Sequence, residues 1–126
     1  MNSTAEQLAE QVEANWPDNL PRPTGYRVLV ALPEVKDTTE GGIALSGQTV
    51  ENERMSSICG HVISMGPDAY RDAKRFPGGP WCKVGDWILM RPYTGTRFKV
   101  DGTEFRLLND DSIEGVVTDP RGLVRV

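Results

Sequence analysis

Cysteine and histidine are scarce in this 126-residue chain: Cys59, His61 and Cys82 are all it has. Cys59 and His61 stand two apart in an apolar run, so a strand would point both to one side. Such a pair could begin a metal site or a thiol–imidazole dyad. A structural zinc site needs four ligands, and only Cys82 remains to be added. A dyad needs a base held in place by a third group, and nothing supplies one. The plainer reading is a packed thiol at Cys59 and a surface strand residue at His61, with no metal and no cofactor. Two cysteines are too few for a disulfide framework and fit reduced thiols in a cytosolic protein. The carboxylates Glu104, Asp110 and Asp111 are not paired by any spacing. Adjacent aspartates beside a turn are expected as solvated caps. Neither Gly41-Gly42 nor Gly78-Gly79 extends to a phosphate-binding pattern, and no serine elbow is present. No catalytic constellation emerges, so the chain is read as a non-enzyme.

The bulk numbers agree with a small folded domain. Hydrophobic residues make up 38% and charged residues 25%, which is ordinary for a globular protein. The 14 Lys+Arg against 18 Asp+Glu give a net charge of −4, which argues against sequence-independent nucleic-acid binding. No run approaches the length of a membrane span, and the N-terminus has neither the basic nor the apolar region of a secretory signal. The expected location is the cytoplasm.

The elements that must position any site read mostly as strands. Ser3 and Glu6 fit a capping box, and Ala5, Leu8, Ala9, Val12 and Trp16 recur on one helical face, so a helix is expected over 3–16, ended by Pro17. Residues 17–25 form a proline-rich connector. "YRVLVAL" (26–32) reads as a strand buried on both faces. Residues 34–57 are polar, glycine-rich and without period, the mark of a functional loop. Strands are expected at 58–66 and 86–93, with a polar excursion at 67–80 between them. The stretch 96–108 is a hairpin around Asp101-Gly102, and 112–117 is a short strand. A final hairpin is expected at 116–126 around Asp119–Gly122. Together these suggest a small β-barrel or sandwich with one N-terminal helix.

Inside the 34–57 loop, "TTEGGIALSG" (38–47) exposes an apolar triplet, Ile43-Ala44-Leu45, behind Gly41 and Gly42. Exposed apolar residues in a loop either tuck under the barrel or bind a partner. The glycines free the backbone at the entry to the triplet, as in a segment that orders on binding.

In this loop and around it the chain resembles the co-chaperonins of the GroES type, over roughly residues 23–117. Pro23-Thr24-Gly25-Tyr26-Arg27-Val28 is similar to the family's opening strand. Glu40 through Leu45 is similar to its mobile loop, Gly60 through Gly66 to the following strand, and Lys83-Val84-Gly85-Asp86 to its Val-Gly-Asp turn. Phe105 through Leu108 and Asp111 through Ile113 resemble the closing strands. The resemblance implies a partly closed GroES-like β-barrel with a long mobile loop and a roof-like excursion. It implies a seven-fold ring whose Gly41, Gly42, Ile43, Ala44 and Leu45 dock on a large ATP-dependent chaperonin, capping the chamber in which clients fold. Nucleotide belongs to that partner. The organisation expected is a helix and connector at 1–22, the barrel at 23–117 and an extension at 118–126.

Some features depart from that pattern. Tyr26 replaces the usual Asp before Arg-Val. The excursion at 67–83 carries Tyr70, Arg71, Arg75, Phe76 and Trp81, either as rim packing or as a contact surface. The helix and the C-terminal extension are additional. Such divergence resembles co-chaperonin-like proteins of bacteriophages. It leaves a rival reading, a capsid-decorating or connector protein that reuses the fold. An oligonucleotide-binding barrel is disfavoured by the net charge and by the lack of clustered strand aromatics.

Overall fold

The computed structural model describes residues 16–33 and 57–126. The expected helix at 3–16, except Trp16, and the Gly41–Leu45 segment lie outside the described residues. Six strands are present among them: β1 (Arg27–Ala31), β2 (Cys59–Met65), β3 (Trp87–Leu89), β4 (Thr96–Val100), β5 (Thr103–Asn109) and β6 (Gly115–Val117). They form one antiparallel sheet in the order β4-β5-β1-β2-β3-β6. The fold is mainly β. No described helix is long and apolar enough to cross a membrane.

β1 is central because its sequence has no polar face to expose. Val28, Leu29 and Val30 are all 0% exposed. Alternation sends Val28 and Val30 inward to a core shared with Val62, Ile88, Met90, Leu108 and Ile113. Leu29 and Ala31 point outward, where they join Leu20, Ile63, Phe105 and the half-buried Trp16, Phe98 and Leu107. The proline-rich connector is therefore more than a spacer. It lays Leu20 and Trp16 on the outer face, and Trp16 Nε1 donates to the Leu20 carbonyl at 2.7 Å. Arg22 covers the Trp16 ring at 4.6 Å, and Asn19 Nδ2 bonds Asp101 Oδ2 at 3.2 Å.

β2 serves both cores through an irregularity. Leu29 pairs with Ser64 but Val30 with Val62, leaving Ile63 as the extra residue. A bulge of this kind shifts the alternation, so Val62 faces the inner core, Ile63 the outer cluster and Met65 the inner core again. Gly60 is required at its position, since a Cβ there would stand 2.9 Å from the Val30 side chain.

The β4–β5 turn has the geometry its sequence dictates. Asp101 (φ 51°) and Gly102 (φ 85°) are both left-handed, as a type I′ turn requires. Elsewhere the chain departs from expectation. The strand expected at 86–93 is limited to Trp87–Leu89, because Pro92 lacks an N–H and Tyr93 turns left-handed at φ 66°. The final hairpin at 116–126 does not form. Past Val117 there is a turn with Leu123 N bonded to Pro120 O at 3.1 Å, but no strand. Val124 and Val126 are exposed, so the segment has no apolar face to drive pairing.

The excursion at 67–83 contains no strand and is built into the inner core. Tyr70, Phe76 and Cys82 are buried there. The Tyr70 and Phe76 rings meet edge-on at 4.9 Å, and Phe76 meets Trp81 edge-on at 5.1 Å. Tyr70 adopts a left-handed φ of 60°, held by its N–H, which donates to Asp110 Oδ2 at 3.1 Å. Asp110 was expected as a solvated cap but is 1% exposed, because it anchors this excursion from a 3-10 turn at Asp110–Ser112. Arg75 reaches the same turn, with Nη2 at 2.8 Å from Asp111 Oδ2 and 3.7 Å from Asp110 Oδ1.

Candidate partner-binding segment

The residues expected to bind a partner, Gly41, Gly42, Ile43, Ala44 and Leu45, lie in the segment joining β1 to β2. Both roots of that segment are fixed. At the first, Leu32 N donates to Glu104 O at 2.9 Å. At the second, Met90 N donates to Ile58 O at 2.8 Å. β1 and β2 are direct antiparallel neighbours, with Ala31 opposite His61. The chain therefore leaves and re-enters the sheet at one end, on adjacent strands about 5 Å apart.

Around this base the groups able to do chemistry are held inert. Burial pushes the Cys59 thiol up to about 11. The Cys82 thiol is also raised by burial, although the Tyr70 hydroxyl 3.5 Å from its sulfur pulls the other way. Both are protonated thiols and poor nucleophiles at neutral pH. His61 is not the simple surface residue expected. It stacks on Trp87 with ring centroids 4.7 Å apart, and its Nε2 is buried without a hydrogen-bond partner. Burial lowers its pKa, opposed by the Gly85 carbonyl and Asp86. The turn beside it is clasped to β2, since Gly85 N donates to Val62 O and Val62 N to Asp86 O, each at 2.8 Å. Among the described residues no group of three or more His, Cys, Asp or Glu side chains is placed to hold a metal.

Sequence reasoning passed over one group at this end of the sheet. Alternation from the inward Leu108 puts Arg106 and Glu104 on the inner face of β5, and pairing puts Arg97 and Lys99 beside them on β4. The period-two pattern of "TEFRLL" was the available signal, because an arginine two residues before a core leucine must share its face.

A family model described as "Chaperonin 10 Kd subunit" matches residues 21–117, which takes in all six strands. Co-chaperonin GroES of Acetivibrio thermocellus is 35% identical over 96 residues, covering 76% of this chain and 96% of that protein. Co-chaperonin GroES of Clostridium beijerinckii is also 35% identical over 96 residues, with the same coverage. The Clostridium acetobutylicum protein of that name is 34% identical over 98 residues, covering 78% of this chain and 97% of that protein.

Proposed function

Because the chain belongs to the chaperonin 10 kDa subunit family, we propose that it is a co-chaperonin for a large GroEL-type chaperonin and assists protein folding in the cytoplasm. The observation that carries this reading is the family match over the whole sheet. The chain runs from β1 to β2 through Gly41-Gly42-Ile43-Ala44-Leu45, and the tripeptide Ile43-Ala44-Leu45 docks on an apolar groove of the partner. Nucleotide is bound and hydrolysed by the partner, and this chain supplies the cap.

Burial of Ile43 and Leu45 contributes roughly 1.5–3 kcal/mol each, and ordering the segment offsets part of that. One segment therefore binds weakly. A ring of chains, seven-fold by family resemblance, makes the contacts simultaneous and raises the overall affinity through effective concentration. Weak individual contacts also permit release.

The test is capture on immobilised GroEL-type chaperonin with ATP, with ADP and without nucleotide, using the wild-type chain and the Ile43→Ser/Leu45→Ser double variant. Nucleotide-dependent capture that the variant loses, with its oligomeric state unchanged, is the expected result. Capture retained by the variant refutes the tripeptide assignment. No capture under any condition refutes the co-chaperonin reading and favours a structural, capsid-associated use of the fold.

A further inference from the structure

Among the described residues, the paired inner positions of β4 and β5 hold three cations, Arg97, Lys99 and Arg106, against one carboxylate, Glu104. Arg97 and Arg106 are direct cross-strand partners, and Lys99 lies opposite Glu104. Like charges in direct opposition destabilise a strand pair. Arg106 is 1% exposed, and a guanidinium does not escape burial by losing its proton.

Its partners fall short of what that burial demands. Nη1 reaches the Arg91 carbonyl only at 3.5 Å, and Nε has no hydrogen bond. Among the described residues the carboxylate that pairs with it is Glu104, whose Oε2 is 3.9 Å from Arg106 Nε. That same oxygen is held at 3.0 Å by Arg97 Nε. One carboxylate oxygen thus serves two guanidiniums, with Lys99 as a third cation on the same face. Glu114 is paired with Arg91 at 3.6 Å. A buried charge left in this condition is costly unless a further anion completes it.

We propose that Arg106 and Arg97, with Glu104 fixing their orientation, form a binding site for a small oxyanion of the carboxylate or phosphate type. Planar guanidinium forks match two oxygens of such a group. Burial and the adjacent Arg97 charge both disfavour the charged form of Arg106, and Glu104 and Tyr93 only partly oppose them. An anion reverses that balance. The approach is from the β4 edge of the sheet, which no other described strand covers. The Arg97 side chain is 45% exposed there, and its guanidinium lies 6.0 Å from the ring centroid of the exposed Tyr93.

The experiment titrates the full-length protein with sodium phosphate, and separately with sodium acetate, against sodium chloride at equal ionic strength. Thermal unfolding and isothermal titration calorimetry are the readouts. Saturable binding heats are expected, with a rise in the unfolding midpoint of about 5 °C at ten times the Kd that grows logarithmically beyond it. Response to phosphate alone or to acetate alone identifies the class of oxyanion. Arg106→Met, an apolar replacement of similar reach, and the half-exposed Arg97→Gln should each lose the saturable response while remaining folded. A wild-type response no larger than that to chloride overturns the proposal. So does a full response in both folded variants.

Discussion

Replacing Phe76 with alanine measures how firmly the excursion at 67–83 is tied to the barrel. Phe76 is 4% exposed, and its ring makes edge-on contacts with Tyr70 and Trp81. Transfer of the side chain out of water contributes roughly 1.5–3 kcal/mol. Two aromatic contacts add about 0.5–1.5 kcal/mol each. The sum, roughly 2.5–6 kcal/mol, is centred on the roughly 3–5 kcal/mol typical of a buried Phe→Ala change. With a urea dependence of about 2 kcal/mol/M, the unfolding midpoint should fall by about 2 M. The assay is equilibrium urea unfolding followed by far-UV circular dichroism, at one fixed protein concentration because assembly shifts apparent stability. Trp81→Ala is the internal comparison. Trp81 is 46% exposed, so its midpoint should fall by less than half as much. A Phe76→Ala midpoint within about 0.5 M of wild type would refute the claim that this segment belongs to the core.

Two further outcomes follow from the geometry. His61 is held neutral by burial, so its contribution to stability is complete above the unfolded imidazole value of about 6.5 and is lost as pH falls through that value toward the lower folded one; His61→Phe should flatten the pH dependence of the urea midpoint below about pH 6.5, and an unchanged slope would remove His61 as its source. Gly66→Ala drives a Cβ into the Gly25 carbonyl oxygen and should destabilise by about 3 kcal/mol, whereas Gly78→Ala, with nothing within 4 Å of the added atom, should leave the thermal midpoint nearly unchanged; equal midpoints for both would refute the close approach of the two glycine-bearing turns.

What could be read from the sequence was whatever depends on local periodicity. The unbroken apolar run of β1 announced burial on both faces, and Asp101-Gly102 announced its turn. The covering of the outer face by Leu20 was not legible, because a connector with three prolines shows no period and Leu20 stands alone in it. The packing of Tyr70 and Phe76 stayed open between rim packing and a contact surface for a related reason. Their spacing matches neither helix nor strand, and the excursion is held by Asp110, 40 residues away from Tyr70. The burial of Asp110 itself depends on that distant N–H. The bulge at Ile63 is a property of the strand pair, so β2 alone gives no sign of it. Gly41 through Leu45 were singled out by composition and family resemblance, and their role rests on the binding experiment.

The position of β1 has a consequence for synthesis. Its two neighbours are β2, which begins at Cys59, and β5, which ends at Asn109. As the chain leaves the ribosome, the most apolar strand waits first for the long segment after it and then for nearly the whole domain. Until β5 emerges, β1 keeps one unpaired edge, the kind of surface that joins to other nascent chains. Contacts this distant in sequence also slow the final closure. A protein assigned to helping others fold thus has a topology that delays the completion of its own central strand until late in translation.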